Sequence, residues 1–247
     1  MAATTLTNVQ VLYNTTDISS FTGEFNPETT VALQPVNNLA GGGYQHSLPG
    51  VTSATLSLSG LADYAVAGLN SVFAGAQRGR QEVVSVIKPV SGAAVAGDTA
   101  ILMRGQLAKY VSPQGATGAT AAFATQIEAD AAQVYGVVGA PLLNRSAPLT
   151  GTSLQLGALG TGPAGATQRL WAALHVTAAA GTNLSVLIQS DNATGFPSPA
   201  TALTFTTVSA VSAQFLNLVG PLTDDWYRVT ATIGTGNFTF AVTLGVW

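Results

Sequence analysis

Apolar and polar positions alternate most plainly across residues 50–60, where Ala54, Leu56 and Leu58 are separated by Thr55, Ser57 and Ser59 between two glycines. A period of two gives one apolar and one hydroxylic face, the signature of a half-buried strand. The next stretch changes period. Val66, Leu69, Val72 and Phe73 recur three and four residues apart among alanines, which predicts one short helix across 62–74, laid on a sheet through Leu69 and Phe73.

Taken in order, residues 9–13 form the first strand, and 14–17 turn on side chains that bond their own backbone. A second strand spans 18–26 and is expected to stop at Pro27. From 35 to 50 the residues Asn37, Asn38, Gly41, Gly42, Gly43 and Pro49 leave no period, so a long exposed loop is expected. Residues 81–88 read as a β-branched strand ended by Pro89. Residues 99–111 read as a long strand with Ile101, Met103, Gly105, Leu107 and Ala108 on or near the core. Residues 112–119 are a turn, and 123–138 a strand pair in which a brief helical turn near Ala129, Ala131 and Val134 is the alternative.

Residues 139–148 contain two prolines and no period, which suggests a junction. Beyond it, strands are expected at 152–159, 169–176, 183–189, 202–207, 213–219, 226–233 and 238–247, divided by Gly-Pro, Gly-Thr-Asn, Asp-Asn and Gly-Thr-Gly-Asn turns. Strands at that spacing predict a sandwich or jelly roll. The expected class is all-β, in two parts: residues 1–144 as a β-sandwich with one short helix, and residues 145–247 as a second β-sandwich.

Composition then narrows the function. Only 8% of the 247 residues are charged, against about 25% in ordinary soluble proteins. A surface so poor in charge is expected to be covered by copies of itself or by partners. The net charge of −3 argues against a protein that grips a nucleic-acid duplex. With no cysteine, disulfides and thiolate metal sites are excluded. No basic-apolar leader opens the sequence and no apolar run approaches a membrane span, so neither secretion by the usual signal nor membrane insertion is expected.

Candidate chemistry is thin. His175 shares a strand face with Trp171 and Ala173 and reads as a hydrogen-bonded structural histidine, while His46 belongs to the glycine-rich loop. Asp191 with Asn192, and Asp224 with Asp225, could offer oxygen ligands to calcium, but both pairs stand where turns want Asp and Asn. The Gly41–43 run lacks the helix and lysine of a phosphate loop. No Gly-x-Ser-x-Gly elbow or paired catalytic acids are present. Asn-x-Ser/Thr triplets at 14, 144, 183, 192 and 237 follow from abundant Ser and Thr. Trp171, Trp226, Tyr227 and Phe196 suit either a core or a sugar-stacking platform. Arg78 and Arg80 follow the helix, where cations favour the carboxyl end, with a salt bridge to another subunit as the alternative. No enzyme activity, cofactor or metal is expected.

The order of motifs in residues 8–140 resembles the phage tail tube (major tail) protein family. Asp17, Ile18 and Ser19 stand where that family has a polar turn. A long loop follows, then Leu48, Pro49, Gly50 and Val51 lead into the Leu-Ser-Leu-Ser-Gly strand at 56–60 and the helix at 62–74. The chain departs from the common form in its few charges and its full second β unit, which the resemblance places outside the tube. The resemblance implies a virion protein assembled in the host cytoplasm, whose copies, commonly six, close a β-sheet into rings that contact other tail proteins. It implies a channel that DNA traverses without specific binding. Six copies would carry about −18, which repels a passing polyanion. Glu24, Glu28, Asp63 and Glu128 are the candidates for the lumen wall. Asn37, Asn38, Gly41, Gly42, Gly43, Tyr44 and His46 form the candidate ring-stacking loop. A capsid cement protein and a carbohydrate-binding β module are the alternatives.

Overall fold

The computed structural model describes residues 8–36, 46–62, 68–73, 79–114, 120–156 and 168–247. These residues are all-β apart from one short helix. In chain order the elements are β1 (Gln10–Tyr13), β2 (Thr16–Asp17), β3 (Thr22–Val36), β4 (His46–Leu61), α1 (Leu69–Phe73), β5 (Gln81–Lys88), β6 (Thr99–Gln114) and β7 (Ala122–Ala129). They continue as β8 (Val134–Arg145), β9 (Leu149–Thr150), β10 (Leu154–Gln155), β11 (Arg169–Asp191), β12 (Ala200–Thr204), β13 (Ser212–Val219) and β14 (Trp226–Val246). Every registered strand pairing is antiparallel.

The chain divides into two compact units, and neither is one continuous segment. One takes residues 1–20, 82–104 and 134–247; the other takes 21–81 and 105–133. This differs from the expected cut between 144 and 145. The reason is in the pairing: β8, all but its last residue before that cut, bonds along β14 from Phe238↔Arg145 to Leu244↔Val137.

The larger unit is organised by β11 and β14, which stay paired from Leu170↔Val246 to Asp191↔Trp226. Each had been expected as two strands divided by a glycine turn. In the structure those two turn motifs lie opposite one another, Gly181 facing Gly236 and Thr182 facing Thr235, and the ladder runs through them. A Cβ on Gly181 would come 2.0 Å from the Thr235 oxygen, and one on Gly236, where φ is +73°, 2.1 Å from the Ala180 oxygen. Glycine here lets two backbones approach, instead of reversing the chain.

On either side of these glycines the strands acquire different neighbours. β13 borders residues 169–176 of β11, and β8 borders the last part of β14. β12 borders the second half of β11, while β9 and β10 border the first half of β14. Leu170, Leu174, Leu184, Ile188, Tyr227, Val229, Phe238, Phe240 and Leu244 join in one buried core, so both halves of the long strands feed a single apolar layer. The opposite face of the 169–176 half is also covered. Ala241 packs there with Leu12, Ile87, Ala100 and Val138.

The smaller unit places β4 between β3 and β7, with the second part of β6 beyond β7. Ala54, Leu56 and Leu58 point into its core, and Thr55, Ser57 and Ser59 do not, as the alternation requires. Leu69 and Phe73 of α1 are buried, with the Phe73 ring 5.8 Å from Phe123 and 5.6 Å from Tyr110. Asn70 Oδ1 accepts a 2.7 Å bond from the Tyr110 hydroxyl, fixing the helix to β6. The register of β6 slips between Leu107 and Lys109, which leaves Ala108 as the extra residue, exposed and not in the core as expected.

Candidate assembly surface

Two stretches expected to be irregular are strand. β3 continues through Pro27 to Val36, and His46 to Gly50, expected as loop, begin β4. Pro27 is tolerated because β3 pairs with β4 alone among the described strands, so its other edge needs no donor there. The polar and apolar positions of β3 alternate across that proline. Glu24, Asn26, Glu28 and Thr30 fall on one face, and Phe25, Pro27, Thr29, Val31 and Leu33 on the other.

Register carries both faces across the sheet, since residues directly opposite share a face. Glu28 stands opposite Thr55, Thr55 opposite Glu128, and Glu128 opposite Gln106. Asn26, Ser57, Gln126 and Lys109 form the next row, and Glu24, Ser59 and Ala124 the one after. Ser59 Oγ donates to Glu24 Oε2 at 3.4 Å. The face is thus hydroxyl, amide and carboxylate, with three acids against the single Lys109. Three of the four lumen candidates are brought together there. The fourth, Asp63, lies outside the described residues.

The apolar face has a different fate along its length. At Phe123 it is covered by Phe73 of α1. Pairing of β7 with β4 stops at Thr55↔Glu128, however, while β3 and β4 continue as a two-stranded ribbon to Val36↔His46. On that ribbon Val31 is 41% exposed, Leu33 64%, and Val51 80%. Val51 sits where the β3–β4 register shifts between Val31 and Leu33. An isolated two-stranded ribbon is marginal in water, and an open 15-residue edge strand is a template for another chain. These apolar residues were not singled out from sequence, although the alternation continuing through Pro27 was a readable signal. Of the candidate stacking loop, Asn37, Asn38, Gly41, Gly42, Gly43 and Tyr44 lie outside the described residues. His46 takes its place in β4 opposite Val36.

The other candidates occupy structural positions. His175 is fully buried and hydrogen-bonded on both ring nitrogens. Asp191 accepts backbone N–H bonds from Ala193 and Ser198, both at 2.9 Å, which closes the turn after β11. Of the four aromatics weighed as a sugar platform, three are buried and Trp226 is half-buried. Trp171 is packed against Phe215, their ring centroids 5.4 Å apart; Tyr227 is buried with its hydroxyl donating to the Asp224 carbonyl; Phe196 is buried beneath the Arg228 guanidinium at 4.2 Å. Burial, helped by Asp224 and Asp225, pushes the Tyr227 hydroxyl up to about 12. Arg80 is exposed, and Arg78 lies outside the described residues. Among the described residues no group of three or more His, Cys, Asp or Glu could hold a metal ion, and no helix is long and apolar enough to cross a membrane.

No protein-family model and no curated protein matches the chain. Among solved structures, it is similar to a chain in the tail of an empty gene transfer agent particle, at 18% identity and a TM-score of 0.36 over 47% of this chain and 81% of that one. It is similar to a chain of the sheath-tube complex of an extracellular contractile injection system, at 12% identity and a TM-score of 0.43 over 55% and 93%. The Dit protein of phage SPP1, described as a hub of the adsorption apparatus, aligns over 98% of this chain and 100% of its own at 8% identity and a TM-score of 0.36. At these scores the likenesses carry no functional argument.

Proposed function

We propose that the protein is a structural tail protein of a virion, and within that class a tail tube subunit whose copies close into rings and stack into a DNA-conducting channel. The observation that carries this reading is the β3–β4 ribbon. It combines an edge with no partner among the described strands, a bare apolar stripe on one face and a polar, acidic face on the other. A sheet wet on one face and unfinished at its edge is completed when neighbouring copies continue it. The loop 37–44 with His46, at the end of the ribbon, meets the adjoining ring. Glu24, Glu28 and Glu128, with Asp63, line the lumen, where like charge keeps DNA mobile. The unit built on β11 and β14 takes the external role.

Electron microscopy of the negatively stained, purified protein tests this. Long hollow tubes are expected for the native chain, and folded, dispersed particles for Val31→Ser with Leu33→Ser. Compact trimers would favour a capsid cement role, and monomers at every concentration would overturn the tube reading.

A further inference from the structure

His175 is fully enclosed, and the assembly reading gives it no task. It stands on β11 between Ala213 of β13 and Ala241 of β14. Its Nδ1 donates to the Asn14 carbonyl oxygen at 2.7 Å, and its Nε2 accepts from Ser85 Oγ at 2.8 Å. Ser85 Oγ lies 2.9 Å from Thr243 Oγ1. A carbonyl only accepts, so the network assigns the ring proton to Nδ1. Asn14 is itself clamped, at φ +50°: its N–H donates to the Val83 carbonyl and its Oδ1 accepts the Val83 N–H, both at 2.8 Å. One imidazole therefore ties together the β1–β2 turn, β5, β11 and β14.

Among the described residues, nothing that faces the ring offers a counter-charge. Ser85 and Ile87 face it from β5, Leu12 from β1, and Ala241 and Thr243 from β14, in the apolar layer that also holds Ala100 and Val138. The titratable neighbours Tyr13 and Glu82 alternate onto the other face of β1 and β5. Asp17, opposite Leu12, is exposed and engaged with Gln10 and Ser19. A second proton on the ring could be accepted by rotating the Ser85 hydroxyl, but the charge would remain in a dry layer. β11 and β14 are bordered on both sides, whereas β1 and β2 end the strand order. Peeling away β1 and β2 is the least disruptive way to bring water to the ring.

We propose that the Asn14–His175–Ser85–Thr243 chain is an acid-operated latch, which holds residues 8–20 on their unit at neutral pH and frees them when the imidazole is protonated. The direction follows from proton linkage. Burial lowers the His175 pKa from its ordinary 6.5 to about 4, against a smaller raising effect of the Asn14 carbonyl. The open state therefore binds the proton first as pH falls below 6.5, and opening grows by up to about tenfold per pH unit until the closed state also titrates near 4.

Hydrogen exchange read by mass spectrometry on the full chain, corrected for the intrinsic pH dependence of exchange, tests the latch between pH 7.5 and 4.5. Opening of peptides covering 8–20 is expected to rise at least about tenfold over that range, while peptides from β11 and β14 keep their protection. The rise should be absent in His175→Gln and retained in His46→Gln. Because His175→Gln could fail to fold, imidazole nitrogen NMR of the native chain gives a second readout, with His175 titrating in step with opening of 8–20. Unchanged exchange at 8–20, or simultaneous loss of protection in β11 and β14, overturns the proposal. So does protonation of His175 while 8–20 stays protected.

Discussion

In the unit built on β11 and β14, the 169–176 half of β11 is covered on both faces, by Leu170 and Leu174 on one side and by the His175 and Ala241 layer on the other. The sheet of β3, β4 and β7 has one wet face, and its apolar face runs beyond the last residue that α1 covers. Both units leave apolar side chains exposed, such as Val90, Val95, Leu143 and Val219 in the first, but in the second Val31 and Leu33 prolong the apolar face of the β3–β4 ribbon past its cover. Low overall charge thus has two origins here. In one unit it accompanies thoroughly buried strands, and in the other a neutral, hydroxylic surface with exposed Val31, Leu33 and Val51.

The sharpest way to break this comparison is to end the chain at Asn144. The sequence suggested that such a fragment would fold alone and that residues 151–247 would form a separate domain. Since β8 bonds to β14 and Val138 packs with Ala241, the fragment should instead be insoluble, or lack a cooperative transition in circular dichroism. A soluble, cooperatively melting 1–144 fragment would show that the smaller unit organises the rest.

Next in size is the paired change Leu69→Ala and Phe73→Ala in the smaller unit. Each removes a fully buried side chain, at a cost of about 2 to 5 kcal/mol, and Phe73 also loses its contacts with Phe123 and Tyr110. Exchange protection of β4 and β7 should collapse while that of β11 and β14 persists; equal loss in both would mean that the units do not differ in autonomy.

Gly181→Ala should act in the opposite place. Its methyl would meet the Thr235 oxygen at 2.0 Å, so the paired backbones must separate, at a cost of about 1 to 3 kcal/mol. Gly195→Ala, with open space around it, is the control and should leave the melting temperature unchanged.

The smallest effect on stability, within about 0.5 kcal/mol, is expected from exchanging Glu24, Glu28 and Glu128 together for Gln. Their side chains stand on an exposed face, so melting should hardly change. In the tube reading, the difference appears only in function, as slower DNA passage through tails assembled from the variant.

Local alternation was legible wherever one strand face is buried and the other is wet. β4 around Leu56 and Leu58, and the β-branched β5, follow their residue patterns closely. The two longest strands were not legible, because Gly-Thr-Asn at 181–183 and Gly-Thr-Gly-Asn at 234–237 have turn composition. Only their juxtaposition shows that glycine serves close approach there. The ribbon was hidden for a related reason. Pro27, Pro35 and Pro49 would interrupt a central strand but are tolerated where the strand has a partner on one edge alone. The acids at 24, 28 and 128 were picked by charge, whereas their common face depends on register across three strands, which a linear pattern does not contain.

The paired glycines of β11 and β14 also decide where this chain will accept foreign sequence. By composition, 181–183 and 234–237 are inviting places to insert an epitope tag or a fluorophore-labelling peptide. Both lie mid-ladder, and an insertion there would put the two halves of each long strand out of step with their five flanking partners. The exposed bend at Ser209 and Ala210, between β12 and β13, is the safer port for a label.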